Sequence, residues 1–293
     1  MSSRHVPYIF SNANRMSYQN ATSPRHAAGM GDPRHITRPL RAAGWHNYSE
    51  LDFPQVVLAS PDEHHTLVLD PEPNDHSAWW RIQAQLPGNN HWHVSLGGAT
   101  PVEVIAGFTD ALIRPEPAKP PEPDSLWVPF VEAGWTFAEN RDGDERTGVH
   151  PDGIMHMRCR ADDFDLLDLP DEGSTLWDAE ARVPTGDGGY HSLWRAYFSV
   201  NTPLHLLAGF AGALASTEPV QRPRYEVPDT SLVTQVRTGP QSEELLVARR
   251  KREAQARAVG RAERAARTVA TRQPGASSAR PHPPHAPGPR RTR

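Results

Sequence analysis

The stretch that decides the fold runs Thr100-Pro-Val-Glu-Val-Ile-Ala-Gly-Phe-Thr-Asp-Ala-Leu112, and a second version runs Thr202-Pro-Leu-His-Leu-Leu-Ala-Gly-Phe-Ala-Gly-Ala-Leu214. The two stretches align at a constant offset of 102 residues. In both, apolar residues recur at a spacing of three and four, which predicts a helix that buries one face. The recurrence of a whole helix indicates that one module occurs twice.

The match continues upstream of the helices, with an offset that falls to 97 and then to 90. This change predicts insertions of seven and five residues in the loops of the second copy. All eight tryptophans fall within the two copies, which we place at about 37–113 and 127–215. The matched positions are Trp92 with Trp194, Trp80 with Trp177, and Ala43-Gly44-Trp45 with Ala133-Gly134-Trp135.

Each copy has the pattern of a helix, several strands and a second helix. Apolar and polar residues alternate in Trp80–Leu86 and in Trp177–Val183, which is typical of antiparallel strands with one face on a core. We expect Thr37 to cap the first helix, and Thr100 with Glu103 to form a capping box on the second. The predicted fold class is α+β, with two small antiparallel sheets, each with a short N-terminal helix and a C-terminal helix across it, related by a pseudo-twofold.

Composition divides the rest of the chain. Residues 114–126 are proline-rich and residues 272–293 are rich in Pro, His and Arg. The predicted segments are a disordered N-terminus (1–22), a first repeat domain (23–113), a Pro-rich linker (114–126), a second repeat domain (127–216), a linker (217–240), a basic helix (241–271) and a disordered tail (272–293).

Charge is strongly segregated along the chain. Residues 249–293 carry 13 Arg or Lys and two Glu, a net of +11, whereas the whole chain carries −4, so the remainder carries −15. Such asymmetry predicts that the basic tail binds an acidic partner, either nucleic acid or the acidic body of the protein itself.

Several classes of protein are not expected. No apolar run approaches the roughly 18–20 residues that span a membrane, and the first twenty residues lack the pattern of a signal peptide. Cys159 is the only cysteine, so no disulfide forms within the chain. We expect a cytoplasmic protein with no membrane partner.

Short motifs in the first copy resemble a known family, the actinobacterial domain of unknown function 317, which often occurs in two copies. The resemblance covers roughly 23–215 and implies an intracellular actinobacterial protein, but no reaction. The second copy departs from the pattern at Asp178 and His205, which replace Arg81 and Glu103. The motifs are Ser23-Pro-Arg-His26, Gly31-Asp-Pro-Arg-His35, Ala42-Ala-Gly-Trp45, Ser60-Pro-Asp62, Trp80-Arg-Ile82 and Thr100-Pro-Val-Glu103.

The common catalytic patterns are not found. There is no P-loop, dinucleotide fingerprint, nucleophile elbow or paired-cysteine zinc pattern, so we predict no catalytic residue, no cofactor and no metal. Side chains of ligand type are interpreted first as surface residues, and as metal ligands second: His91, His93, His150, His156 and Cys159. The acidic run at 162–172 is interpreted as a solvated loop.

Two groups of residues are candidates for binding a partner. Trp79 and Arg81 form either an interface or stacking platform, or a patch covered by a neighbouring loop or the other copy. Arg257, Arg261 and Arg264 share one face of the basic helix and could neutralise phosphates. Alanines including Ala258, Ala262 and Ala265 line another face, suited to a weakly held partner helix.

The leading functional hypothesis is a non-enzymatic interaction module that binds a protein or another macromolecule. The alternatives are a nucleic-acid-associated protein that uses the Arg-rich tail, and an enzyme with a site between the two repeats.

Overall fold

The computed structural model describes residues 19–50, 52–71, 78–86, 90–141, 145–160, 175–237 and 242–272. The α-helices in these ranges are α1 (Arg34–Ala43), α2 (Val102–Ile113), α3 (Val128–Glu132), α4 (Leu204–Ala215) and α5 (Ser242–Arg272). The strands are β1 (Gln19–Ser23), β2 (His46–Asn47), β3 (Val56–Ala59), β4 (His65–Leu69), β5 (Trp80–Leu86), β6 (Asn90–Leu96), β7 (Thr136–Glu139), β8 (Glu145–Val149), β9 (Met155–Arg160), β10 (Thr175–Pro184), β11 (Tyr190–Ser199), β12 (Val220–Pro223) and β13 (Thr234–Arg237).

The fold mixes helices with antiparallel sheet, as predicted, but the two predicted sheets are one. Ten strands pair in the order β2-β3-β4-β5-β6-β11-β10-β9-β8-β7. From either edge of the sheet, the five strands of one half follow one another in chain order up to the centre. The halves join where β6 pairs antiparallel with β11, with Val94 opposite Phe198 and Leu96 opposite Ala196. The separate sheets were therefore a wrong prediction. Pairing of β6 with β11 leaves neither strand with a row of unpaired backbone groups at a sheet edge.

The two closing helices lie side by side on one face of this sheet. Their apolar faces are buried, including Phe108 of α2 and Phe210 of α4. Helix α2 meets α4 at Gly107 and Gly209, where a Cβ on either residue would overlap the other's carbonyl oxygen. Paired strands and closely packed helices thus fill the seam between the halves.

The predicted helix starts are wrong, although the helices are present. Helix α1 begins at Arg34, so Thr37 and Pro39 lie inside it, whereas Gly44 ends it with φ +107°. Pro101 precedes α2 and no side chain caps the helix. The carboxylate of Glu103 instead accepts hydrogen bonds from Arg222, 119 residues further along the chain. This ion pair takes the place of the predicted capping box.

A second sheet of three strands, β12-β1-β13, holds segments that composition had separated from the domains. Residues 19–22 of β1 fall in the predicted disordered N-terminus, and β12 and β13 fall in the predicted linker 217–240. These strands lack apolar alternation, and their pairing joins chain segments about two hundred residues apart. The remaining predicted disorder, residues 1–18 and 273–293, lies outside the described residues, as does the acidic run at 162–172.

Candidate functional site

Helix α5 is docked on the first half of the fold and runs parallel to α1. Arg249 pairs with Asp32 at 3.1 Å. Arg252 makes a bidentate pair with Asp110 of α2, at 2.6 and 2.9 Å. Ala256, on the same face of α5, is buried. The basic helix therefore pairs with aspartates of the acidic body. This pairing is one of the two alternatives that the segregation of charge predicted.

The face that α5 turns to the body is not the alanine face expected from the sequence. Ala258, Ala262 and Ala265 are exposed. The buried position Gly260 packs so closely that an added Cβ would overlap the carbonyl oxygen of Ala43 in α1. The face with the smallest residue allows the closest approach of the two backbones, and the ion pairs of Arg249 and Arg252 select the same face.

Seven exposed arginines face one side of the α1–α5 pair. These arginines form one row on α1 and one on α5. Arg38 of α1 and Arg257 of α5 both lie 3.9 Å from Glu253, which therefore lies between the two rows. Arg264 lies against Gly44, just beyond the last turn of α1, at the end of the row that holds Arg41. We call this set the arginine surface: Arg34, Arg38, Arg41, Arg250, Arg257, Arg261 and Arg264.

The three tail arginines named from the sequence are all part of the arginine surface, but the three from α1 were missed. Arg34, Arg38 and Arg41 follow one another at intervals of four and three residues, which places them on one helix face. This spacing was available in the sequence. What the sequence did not show is that α1 and α5 are neighbours.

His35 of α1 lies close to the α5 arginines. Its backbone carbonyl accepts a hydrogen bond from Arg252. Burial lowers the pKa of His35 to about 4, and Arg252 and Arg249 add to this lowering, whereas Glu103 and Asp110 oppose it. The imidazole is therefore neutral at pH 7, and protonation would place a third positive charge beside the two arginines.

We expect His35 to make the fold less stable as the pH falls. The unfolded chain binds this proton with a pKa near 6.5, so stability is lost as the pH drops through 6.5 toward 4, with about 2 kcal/mol lost between pH 7 and pH 5. Urea unfolding of the wild type and of His35→Gln at both pH values measures this, and the variant should lose about 2 kcal/mol less. An equal loss in the two proteins would contradict the assignment.

Trp79 and Arg81, the other candidate pair from the sequence, differ in their exposure. Trp79 is half-buried and packs against the core, and its ring lies on Gly98 so closely that a Cβ there would overlap it. Arg81 is exposed and pairs with Asp70 at 3.0 Å. Neighbouring chain therefore covers part of Trp79, and the binding of a partner by this pair stays a prediction.

The sheet face opposite the helices carries two buried carboxylates that strict alternation would place in water. Asp178 and Glu180 of β10 are 3% and 6% exposed. Arg158 donates two hydrogen bonds to Asp178, at 2.6 and 2.9 Å, and Arg195 donates one to Glu180 at 2.6 Å. Arginines from the two neighbouring strands thus pair with the carboxylates across the ladder, and these groups tie strands together.

One candidate metal ligand from the sequence, His150, lies next to other ligand-type side chains. Within the described ranges, the group of three such residues with ligand atoms within 4.8 Å of one another is His26, His150 and Asp152. Burial raises the pKa of the Cys159 thiol to about 11, so this thiol keeps its proton at neutral pH. The other four candidate metal ligands from the sequence lie outside this group: His91, His93, His156 and Cys159.

The fold and site define a mixed helix-and-sheet protein with a basic helix docked on its acidic body. Two segments of the chain, residues 59–118 and 150–220, match the family model SPDY, a domain of unknown function (DUF317). One segment falls in each half of the large sheet, consistent with two copies of that domain, so the resemblance to this family is confirmed over these segments. Comparisons with curated proteins and with solved structures found no match.

The comparisons assign no reaction or partner to the chain, so function is inferred from the site. In the described ranges, no helix combines the length and the apolar character needed to cross a membrane.

Proposed function

We propose that this protein is a non-enzymatic binding module that docks nucleic acid on the arginine surface. The proposal rests on the different positions of two sets of arginines in α5. Arg249 and Arg252 neutralise the body's own aspartates, whereas Arg257, Arg261 and Arg264 remain exposed. The docked helix therefore presents its surplus positive charge outward, in a fixed position.

The arrangement of the arginines suits a regular polyanion. Arg257, Arg261 and Arg264 extend over about 10 Å of helix, and the parallel row on α1 has a similar length. Two parallel rows match a backbone whose phosphates repeat at short, constant intervals. Guanidinium groups also bind phosphate oxygens in pairs of hydrogen bonds, which favours arginine over lysine for this contact.

The proposal assigns binding to one half of a duplicated chain. At the internal offset of 90, Arg38 and Arg41 of α1 correspond to Val128 and Val131 of α3, so the second half lacks the α1 row. An origin by tandem duplication, an actinobacterial source and a cytoplasmic location belong to the same proposal. The duplication accounts for the palindromic strand order, with one half adapted to binding.

The first test removes the exposed arginines without removing the helix. Binding of a fluorescent DNA duplex at several salt concentrations is expected for the wild type. Replacing Arg257, Arg261 and Arg264 with alanine should weaken binding at least tenfold at low salt, and should reduce the salt slope by about 0.9 for each phosphate that is no longer neutralised. Unchanged affinity in this variant would overturn the proposal. Deleting 249–293 is a poorer test because it also removes the buried Ala256.

A matched pair of double variants tests whether α1 contributes. Arg38→Ala with Arg41→Ala should weaken binding and lower the salt slope. Lys119→Ala with Arg224→Ala removes the same charge from exposed positions outside the arginine surface, and should leave the slope unchanged. If the two pairs behaved alike, binding would depend on net charge, and the composite surface would be refuted.

A further inference from the structure

The cluster of His26, His150 and Asp152 connects the N-terminal segment to the second half of the fold. His26 lies in a single 3-10 turn (Arg25–Ala27) and is 1% exposed. Its Nε2 lies 2.8 Å from Oδ2 of Asp152, and Nδ1 of His150 lies 2.8 Å from the other carboxylate oxygen. The two imidazole rings are 4.6 Å apart and nearly perpendicular. Three nitrogen and oxygen donors thus converge from segments 126 residues apart.

The first half shows what the turn itself requires. The corresponding turn there has Ser60 and Asp62, and the Ser60 hydroxyl donates to Asp62 Oδ1 at 2.6 Å. In both turns the same Oδ1 also accepts the backbone N–H two residues later, at 3.2 Å in the first half and 2.9 Å in the second. A serine therefore suffices to hold this turn, and the imidazole of His150 exceeds that requirement.

The other oxygen of each turn aspartate binds a segment outside the repeat. Asp62 Oδ2 lies 3.4 Å from Arg267 of α5, whereas Asp152 Oδ2 faces His26. The first half thus pairs its aspartate with a cation, which cannot bind a metal. Only the turn of the second half collects two imidazoles around its aspartate.

Hydrogen bonds and burial set the surroundings of His26 and Asp152 in this cluster. Burial lowers the pKa of His26, although Asp152 opposes this. Burial acts to raise the pKa of Asp152, but hydrogen bonds from His150 and His26 outweigh it and hold that pKa far below its usual value. The indole N–H of Trp194 donates to the backbone carbonyl of His26 at 2.8 Å, which fixes the position of this residue.

We propose that His26, His150 and Asp152 bind a divalent transition metal ion, with Zn²⁺ as the best-suited ion, and that the ion fastens the N-terminal segment to the second half. Two imidazoles and a carboxylate are a common zinc donor set, and water takes the fourth position. The ligand atoms of the three residues lie within 4.8 Å of one another, and donors around tetrahedral Zn²⁺ are about 3.3 Å apart, so small side-chain movements bring all three to one ion. The ion takes the place of the protons that these groups now share.

The test is a Zn²⁺ titration of the full, untagged chain after dialysis against a chelator. Calorimetry and metal analysis should give one ion per chain, and Zn²⁺ should raise the Tm. The informative variant is His150→Ser, which copies the turn of the first half, so its Tm without metal should stay close to that of the wild type. It should lose the bound ion and the Zn²⁺-dependent rise in Tm.

His91→Ser with His93→Ser is the matched control, since it removes two histidines outside the cluster and should leave one ion bound. His26→Gln retains a side chain that donates to Asp152 and should also lose the ion. A wild type that binds no Zn²⁺, or a His150→Ser variant that binds as much as the wild type, would overturn the proposal. The result is independent of the arginine surface, because neither set of substitutions touches it.

Discussion

Replacing Arg222 with methionine should lower the free energy of unfolding by about 3–5 kcal/mol. Arg222 of β12 is 2% exposed and donates two hydrogen bonds to the carboxylate of Glu103, at 2.8 and 2.6 Å. Burial acts to raise the pKa of Glu103, but Arg222 outweighs this effect and keeps that pKa below its usual value. Without the guanidinium, the half-buried carboxylate of Glu103 loses its ion-pair partner at the start of α2. Urea unfolding at pH 7 measures the loss.

A double variant separates the charge from the shape of the site. Arg222→Met combined with Glu103→Leu leaves no isolated charge and should recover most of the lost stability. The single variant should also approach the stability of the double variant as the pH falls toward 5, since Glu103 then takes up a proton. A loss of less than about 1 kcal/mol in the single variant would show that the pair is not a main support of this region.

The helices α2 and α4 were predictable because all the information for each lies within a dozen residues. Periodicity predicted their buried faces, and Phe108 and Phe210 are buried as expected. The tryptophans that recur at matched positions, such as Trp80 and Trp177, are buried for the same reason. Local pattern is sufficient where a residue's environment is set by its own helix or strand.

The joining of the two sheets was not predictable from local pattern. The alternation of apolar and polar residues shows which side of a strand faces the core, but it does not show which strand pairs with that strand. β6 and β11 are each the last strand of their half, and their pairing brings together strands about one hundred residues apart in the chain. The strands β1, β12 and β13 were not predicted, because their residues are largely polar and their partners are distant in the chain.

The candidate sites divide in the same way. Spacing alone placed Arg257, Arg261 and Arg264 on one face of a helix. The face of α5 that meets the body is the one that carries Gly260. The sequence does not show that Gly260 packs against Ala43, because the two residues are far apart in the chain. The convergence of His26 on Asp152 is non-local as well. A signal for it was present, since the internal alignment sets His150 against Ser60, so the histidine occurs in only one copy.

The closest backbone contact between the two halves leads to the second large effect, which is expected for Gly107→Ala. An added Cβ would overlap both the carbonyl oxygen of Gly209 and the Cβ of Ala213 in α4. Neither obstacle is the end of a flexible side chain, so α2 and α4 must move apart over the sheet that both halves share. Overpacking of this kind costs about 1–3 kcal/mol, and contact with backbone favours the upper end of that range.

Gly212→Ala is the matched control for this substitution, because it makes the same chemical change in α4 where nothing lies within 4 Å of the new Cβ. There the lower conformational entropy of alanine in the unfolded chain should stabilise the protein by about 0.5–1 kcal/mol. The two substitutions should therefore shift the urea midpoint in opposite directions. If Gly107→Ala also stabilised the protein, α2 and α4 could not be in backbone contact. The joined ten-stranded sheet would then lose the packing that holds β6 beside β11.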